Sequence, residues 1–305
     1  MQKQTPGYLM PINGWAAAII IACCACWGVN QVAIKVANAG IPPMLQAGLR
    51  SLCSGLLLMI WAWARGIPLF NRDGTLAAGI AIGVVFGVEF VLLYQGLAWT
   101  TASRGVLFLY SMPFFVAVGA HLLIPGDRLT RPKVIGLLAA FCGLAVALGD
   151  GLLTSGGSLS FLGDVMCLLA GAGWGATTLM IRTTAIRFAS AEKALFYQLA
   201  VSAPLLIAAS FIAGEGTPSF SDPIPLLAFA YTAILVAFIS YVTWLWLLTR
   251  HSPSAMSTFT FLTPIFGALA GHLILNEPLT FRLAIALALV AFGIYLVNRP
   301  ASARA

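Results

Sequence analysis

Two Trp-Gly pairs are each followed, three and four residues after the tryptophan, by two polar side chains: Asn30 and Gln31 after Trp27-Gly28, and Thr177 and Thr178 after Trp174-Gly175. All four side chains lie in long apolar segments, where polar groups are costly and usually face a cavity. Amide and hydroxyl groups donate and accept hydrogen bonds. They are therefore candidates for holding a zwitterion, and interhelical hydrogen bonds are the alternative.

Glu89 is the one acidic residue that the sequence places clearly inside an apolar segment. It lies nine residues from the end of segment 75–98, which is about 13 Å at the rise of a helix. Arg50 enters its segment from the same side to about 9 Å, and Lys35 lies one turn after Gln31. These depths predict an ion pair of Glu89 with Arg50 or Lys35. Glu89 is either a site for a proton or an ammonium group, or half of a pair that braces the helices.

Pro113 and Pro264 each remove a backbone donor near the middle of a segment, so each is expected to kink its helix. Their matched placement makes them candidates for a hinge or gate, and a static kink is the alternative. The sequence contains no Walker loop, G-x-S-x-G, H-E-x-x-H or glycine-rich dinucleotide turn. We therefore expect no enzymatic activity, no metal site and no cofactor.

The segments that must position these residues are long and apolar. Of the 305 residues, 60% are hydrophobic and 8% are charged, against roughly 25% charged in a soluble domain. This composition excludes a soluble globule, a disordered chain and a secreted disulfide scaffold. A membrane-spanning helix needs ~20 apolar residues, and ten such runs are present, near 14–37, 44–64, 75–98, 102–123, 133–150, 160–182, 193–213, 224–248, 254–275 and 281–298. The sequence predicts an all-α integral membrane protein with ten transmembrane helices.

Basic residues are distributed unevenly between the two predicted faces. Twelve of the 16 fall on one face if both termini lie on it, and four fall on the other. Positive residues favour the cytoplasmic side, so we expect a multi-pass protein of the inner (cytoplasmic) membrane with both termini cytoplasmic. Anionic lipid accounts for the net charge of +7, and no nucleic-acid partner is expected.

The two halves of the chain resemble each other at an almost constant offset. Trp27-Gly28 matches Trp174-Gly175 at 147 residues, Pro113 matches Pro264 at 151, and Asp127 matches Glu277 at 150. This ordered series predicts a duplication, with repeats at 1–150 and 151–305. Because each repeat has five spans, the second must enter the membrane from the opposite face. Inverted repeats are an architecture of transporters that work by alternating access.

The chain resembles the EamA family of the drug/metabolite transporter superfamily. The resemblance rests on ten spans, the two Trp-Gly pairs, Ala102-Ser103 before Pro113, Ser254-Ala255 before Pro264, and the acid-x-Leu-Thr sequences at 127–130 and 277–280. Among its members, the chain is most similar to the YddG-type amino-acid exporters. The resemblance implies export of aromatic and other neutral amino acids and related compounds, through a cavity built by spans one, three, four, six, eight and nine.

On those spans, the aromatic candidates for the cavity wall are Trp27, Tyr94, Tyr110, Trp174, Tyr241 and Trp244. An aromatic wall suits aromatic or amphipathic solutes, although each ring is also a candidate for ordinary packing. A proton-coupled multidrug antiporter that uses Glu89 is the second interpretation, and a membrane enzyme or scaffold is the third. Ten spans suffice for one pathway, so we expect a monomer.

Overall fold

The computed structural model describes residues 10–100, 102–147, 158–219, 221–275 and 281–298. Its ten helices are α1 (Gly14–Ala37), α2 (Pro43–Ala64), α3 (Leu76–Trp99), α4 in two segments (Ala102–Leu109 and Met112–Leu123), α5 (Arg131–Ala147), α6 (Ser158–Thr183), α7 (Ala191–Ile212), α8 (Pro223–Leu248), α9 in two segments (Pro253–Phe259 and Leu262–Leu275) and α10 (Phe281–Asn298). A short 3₁₀ turn, Ala185–Phe188, joins α6 to α7. The predicted all-helical architecture is confirmed.

Eight of these helices are long and apolar enough to cross a membrane, and α5 and α10 are shorter, with 17 and 18 residues. Large apolar side chains cover the outside of the bundle: Trp63, Phe211 and Ile212 expose 84%, 75% and 87% of their surface. Exposed apolar side chains of this size and number are unfavourable in water. It forms the lipid-facing surface of a membrane protein.

The helix contacts are symmetric between the two halves: each contact described below has a counterpart in the other half, or joins a helix to its own counterpart. α1 packs against α8 and α9, and its counterpart α6 packs against α3 and α4. α2 packs against α7, and α5 packs against α10, so each of these helices meets its own counterpart. The joint predicted at residues 150 and 151 lies outside the described residues, and the bounds of the two repeats stay predictions.

Both prolines follow a break in their helix. α4 is interrupted at Tyr110 and Ser111, two to three residues before Pro113. α9 is interrupted at Thr260 and Phe261, three to four residues before Pro264. A proline has no N–H and its ring displaces the carbonyl of residue i−4, which is why the interruption precedes it. In α9, the carbonyl oxygen of Phe259 accepts a hydrogen bond from Cys24 Sγ at 3.3 Å. The breaks are present, and a hinge or gate role stays a prediction.

Glycines allow the closest helix crossings. A Cβ atom on Gly28 would lie 2.6 Å from Phe266 Cβ and 2.7 Å from Gly267 N, so α1 and α9 meet at backbone distance there. At the contact of α5 with α10, a Cβ on Gly136 would lie 2.7 Å from the carbonyl oxygen of Gly293. Small residues at such crossings are the usual means of packing helices in lipid.

Candidate solute cavity

A cavity of about 140 Å³ lies in the centre of the bundle, and residues of both halves form its wall. One water needs only ~10–15 Å³ on the same measure, so the cavity has room for a solute of many atoms. Its lining comes from α1, α2, α3 and α4 of the first half and from α6, α7 and α8 of the second. The family resemblance implied that α9 lines the cavity, but the described lining residues include none from α9. Residues of α2 and α7, which the resemblance did not include, line it as well.

The structure places ten of the eleven predicted cavity residues in this wall: Trp27, Asn30, Glu89, Tyr94, Tyr110, Trp174, Thr177, Thr178, Tyr241 and Trp244. The eleventh, Gln31, has a side chain outside the described part of the structure. That these residues bind a solute stays a prediction.

Trp27 is the centre of an aromatic cluster that joins the halves. Its ring centroid lies 5.1 Å from Trp244 and 6.1 Å from both Trp174 and Tyr241, each in an edge-to-face arrangement. Tyr110 meets the edge of Trp174 at 5.7 Å. Rings arranged in this way present both faces and edges to a neighbouring solute. Aromatic wall residues from α1, α4, α6 and α8 are therefore held in one rigid group.

A stretch of π-helix in α8, Thr232–Ser240, positions part of this cluster. Its ends are tied to α1, since Tyr231 Oη donates to the carbonyl of Cys26 at 2.9 Å and Trp27 Nε1 donates to Ser240 Oγ at 2.7 Å. The i→i+5 hydrogen bonds of a π-helix shift the following turns relative to a regular α-helix. Tyr241, which follows directly, contacts Trp27 as a result.

The two threonines bond within their own helix. Thr177 Oγ1 and Thr178 Oγ1 each donate to the carbonyl oxygen of Trp174 at 2.9 Å. This differs from the interhelical hydrogen bond that the sequence offered as an alternative. The reason is local, because a threonine hydroxyl in a helix readily bonds the carbonyl three or four residues before it. Only the acceptor capacity of the two hydroxyl oxygens remains for a solute.

The predicted Glu89–Arg50 pair is not a direct one. Both side chains line the cavity, but the described side chains include no contact within 4.0 Å between them. The Arg50 guanidinium instead lies over the ring of Phe90, 4.5 Å from its centroid. An aromatic face attracts a cation, and it takes the place of the carboxylate. The side chain of Lys35, the other predicted partner, lies outside the described residues.

The wall residues that sequence reasoning missed include Gln198, Phe86 and Phe90. Gln198 on α7 is a buried polar residue in an apolar run. This signal was present in the sequence, but it lies on a span that the family resemblance did not include in the cavity. Phe86 and Phe90 are members of a set of 19 phenylalanines, and nothing in their spacing separates them from packing residues. Asp164, buried in α6, accepts a hydrogen bond from Thr100 Oγ1 at 2.6 Å, so Glu89 is not the only acid within a helix.

At one face of the bundle, a polar network that we call the latch is formed by Asp127, Lys133, Ser252 and Ser254. Asp127 Oδ2 accepts from Ser252 Oγ at 2.6 Å, and Oδ1 accepts from Lys133 Nζ at 2.5 Å and from Ser254 Oγ. The latch thereby joins the α4–α5 connection of the first half to the start of α9 in the second. We call the membrane face on which it lies the latch face.

Arg182 adds a second connection on the latch face. Its Nη1 atom donates to the carbonyl oxygens of Leu248 and Thr249 at 3.0 and 2.6 Å. A cation that bonds the last carbonyls of a helix satisfies groups without intrahelical partners. Leu248 and Ile181, the neighbour of Arg182, line the cavity. These bonds therefore hold α6 against the end of α8 next to two residues of the cavity wall.

Replacing Asp127 by asparagine is expected to lower the free energy of unfolding in detergent at pH 7 by about 2 kcal/mol, the range for hydrogen bonds to a charged group. Burial acts to raise the pKa of the Asp127 carboxyl, but hydrogen bonds from its latch partners outweigh burial and hold the pKa below its usual value. Since the pKa is lower in the folded state, the stabilisation is complete above the unfolded-state pKa of about 4. It is lost as the pH falls through the folded-state pKa.

Thermal or denaturant unfolding of the wild type and the Asp127→Asn variant between pH 7 and pH 3 measures this difference. Asp222→Asn is a suitable control because Asp222 caps a helix at an exposed position outside the latch. Equal stability of the wild type and Asp127→Asn at pH 7 would contradict the assignment of the latch carboxylate.

Comparison with known proteins finds transporters over nearly the whole chain. A sequence model of the EamA-like transporter family matches residues 14–149 and 161–299. The uncharacterized transporter YvbV of Bacillus subtilis is 29% identical over 286 residues, covering 91% of this chain and 90% of that protein. A "Probable amino-acid metabolite efflux pump" of Escherichia coli is 25% identical over 279 residues, covering 88% and 90%. A solved crystal structure matches with a TM-score of 0.79 at 21% identity, covering 93% of this chain and 96% of the other, which shows a shared fold.

Proposed function

Since this chain belongs to the EamA-like transporter family, we propose that it exports neutral amino acids, with a preference for aromatic ones, by alternating access. The chain is a multi-pass membrane transporter and not an enzyme. The substrate and the direction of transport are the proposed part. The observation that carries them is the central cavity, in which aromatic rings from both halves and buried polar groups surround one space.

The chemistry of the wall favours an amphipathic solute. Its rings bind apolar or aromatic side chains through burial and edge-to-face contact. Glu89 and Asn30 supply acceptors for an ammonium group. The "Probable amino-acid metabolite efflux pump" of Escherichia coli, similar over 88% of this chain, agrees with this substrate class. These features also agree with the likeness to YddG-type exporters that the sequence motifs indicate.

The orientation follows from the basic residues. The latch face carries the α2–α3, α4–α5, α6–α7 and α8–α9 connections. The sequence predicts that twelve of the 16 basic residues fall on this side. The positive-inside tendency favours the cytoplasm for this face. We therefore propose that the protein lies in the inner membrane as a monomer, with both termini cytoplasmic and the latch as the cytoplasmic closure.

A proton-coupled multidrug antiporter is the second candidate, and Glu89 is the feature that favours it. A buried carboxyl on the wall of a solute cavity can exchange a proton for a cationic solute. In this second function Glu89 is charged or neutral in turn, and transport needs a pH gradient. In the first, Glu89 binds the ammonium group of an amino acid and no gradient is required.

Flux into liposomes separates the two functions. Purified protein is reconstituted, and uptake of labelled phenylalanine, methionine and threonine and of a cationic dye is followed with and without a pH gradient. We expect gradient-independent flux of the amino acids, highest for phenylalanine, and a fall of about tenfold or more in Glu89→Gln, since removing a charged hydrogen-bond partner costs about 1.5–3 kcal/mol. Glu192→Gln, in the first turn of α7 and outside the cavity, is the matched control and is expected to keep full flux.

Dye flux that requires the gradient and is lost in Glu89→Gln, with no amino-acid flux, would support the antiporter instead. Flux of neither solute class would overturn both functions.

A further inference from the structure

Four buried side chains in the cavity wall hold polar atoms without a hydrogen-bond partner among the described residues. These atoms are Asn30 Oδ1, Glu89 Oε2, Gln198 Nε2, and Nε and Nη2 of Arg50. The exposed fractions of the four residues are 6%, 6%, 4% and 2%. Nearly all buried polar groups in folded proteins are paired, and an unpaired buried charge is especially unfavourable. Four such residues around one space indicate a ligand that completes their bonding.

The unpartnered hydrogen-bond acceptors and the unpartnered donors lie on different helices. The acceptors, Asn30 Oδ1 and Glu89 Oε2, belong to α1 and α3, and the donors belong to Arg50 on α2 and Gln198 on α7. The two donor helices are joined directly, because Ser202 Oγ donates to Ser51 Oγ at 3.2 Å. Ser51 follows Arg50 in the chain, and Ser202 lies one turn after Gln198. The donors therefore share one side of the cavity, on a helix pair that the family resemblance did not include.

The Arg50 guanidinium lies against two rings, and its Nε and Nη2 atoms have no hydrogen-bond partner among the described residues. Its guanidinium carbon lies 4.5 Å from the ring centroid of Phe90 and 6.0 Å from that of Tyr241. Stacking on rings fixes the plane of a guanidinium and leaves its N–H groups free to bond. A planar guanidinium matches a carboxylate with two parallel hydrogen bonds. Because its plane is fixed, the Arg50 guanidinium is preorganised to bind a carboxylate group.

We propose that Arg50 and Gln198 bind the carboxylate of the solute while Glu89 and Asn30 bind its ammonium group, so that the cavity accepts zwitterions and rejects ions of either sign. This inference rests on the proposed amino-acid transport and deepens it by assigning a carboxylate subsite to α2 and α7. A zwitterion neutralises both wall charges at once. A monocation leaves Arg50 unpaired, and a monoanion leaves Glu89 unpaired. Either ion therefore binds with an unfavourable free-energy contribution from one unpaired buried charge.

The test compares three compounds of one shape: phenylalanine, phenethylamine, which lacks the carboxylate, and 3-phenylpropionate, which lacks the amine. Their binding to detergent-purified protein is measured by tryptophan fluorescence and by thermal stabilisation, which do not require transport. We expect both analogues to bind the wild type at least ~100-fold more weakly than phenylalanine, because a site with buried partners rejects a ligand that lacks the matching group.

The variants locate the carboxylate subsite. In Arg50→Gln we expect phenylalanine to bind about 100-fold more weakly and phenethylamine to bind as in the wild type or better, since the unpaired cation is gone. Gln198→Met is expected to weaken phenylalanine about tenfold and leave phenethylamine unchanged. Arg65→Gln is the matched control, because Arg65 is an exposed arginine directly after α2, is stacked on Trp61 and lies outside the cavity. It is expected to change none of the three affinities.

Several outcomes would overturn the subsite. One is equal affinity of the wild type for all three compounds. Another is an equal loss of affinity for all three compounds in Arg50→Gln or in Gln198→Met. The comparison of compounds on the wild type stands even where a variant fails to fold. Tight, selective binding of phenylalanine without flux would reject the proposed transport and keep the zwitterion site. Flux of phenylalanine together with equal binding of phenethylamine would keep the proposed transport and reject the zwitterion site.

Discussion

Transport is expected to fall to the background of empty liposomes when the latch is covalently closed. The change is Asp127→Cys together with Ser254→Cys, cross-linked by a short bis-methanethiosulfonate reagent in a background without the six native cysteines. Asp127 and Ser254 belong to different halves and are in direct hydrogen-bonding contact. A covalent bond between them prevents the separation of α9 from the α4–α5 connection that opening on this face requires. Flux of labelled phenylalanine before cross-linking, after cross-linking and after reduction is the measurement.

The single variants Asp127→Cys and Ser254→Cys, treated with the same reagent, are the controls for modification without a link. They are expected to keep transporting, as is the double variant before cross-linking, because the natural latch must open in every cycle. Reduction with dithiothreitol is expected to restore the flux. Unchanged flux with the cross-link formed would show that solute does not pass between these two elements.

Loss of the Trp27 ring is expected to have the second-largest effect. In Trp27→Ala, the affinity for phenylalanine should fall by about 30-fold, the equivalent of the ~2 kcal/mol of a buried aromatic contact at a binding site. Trp27 contacts Trp174, Tyr241 and Trp244, so the change removes the centre of the aromatic wall. Binding of phenylalanine and threonine measured side by side tests it, and threonine should be affected less because it has no ring to stack.

Two variants separate the ring from its hydrogen bond. Ser240→Ala removes the acceptor of Trp27 Nε1 and keeps the ring, and Trp27→Phe keeps a ring without the N–H group. Both are expected to bind phenylalanine more tightly than Trp27→Ala. The aromatic wall would lose its assigned role if Trp27→Ala folded and bound phenylalanine as the wild type does.

The helices were predictable because each is specified by a local property of the chain. A run of ~20 apolar residues in lipid has no alternative to a helix, and turn residues separate the runs. The interruptions of α4 and α9 follow from single residues, Pro113 and Pro264, whose effect on the preceding turn is local. Local chemistry also explains why Trp27, Asn30 and Glu89 were identified as wall residues, since polar and aromatic groups within lipid are few.

The features that could not be predicted depend on contacts between distant segments. The latch joins residues 127 and 254, and no spacing within either segment indicates the partner. The π-helix Thr232–Ser240 contains an ordinary apolar sequence, and its geometry is matched to contacts with α1. Arg50 was predicted to pair with Glu89 by depth alone, but the direction of a side chain on a helix decides its partner, and Arg50 is directed toward Phe90.

Accessibility of the cavity from each face tests most directly the claim that one chamber opens to one side at a time. Val106→Cys places a thiol in the cavity wall, and a membrane-impermeant maleimide is added to right-side-out or inverted vesicles carrying the cross-linked latch. Labelling at position 106 is read by mass spectrometry. We expect reaction only from the face opposite the latch, and reaction from both faces once the cross-link is reduced. Labelling from the latch face while the cross-link holds would contradict alternating access through this chamber.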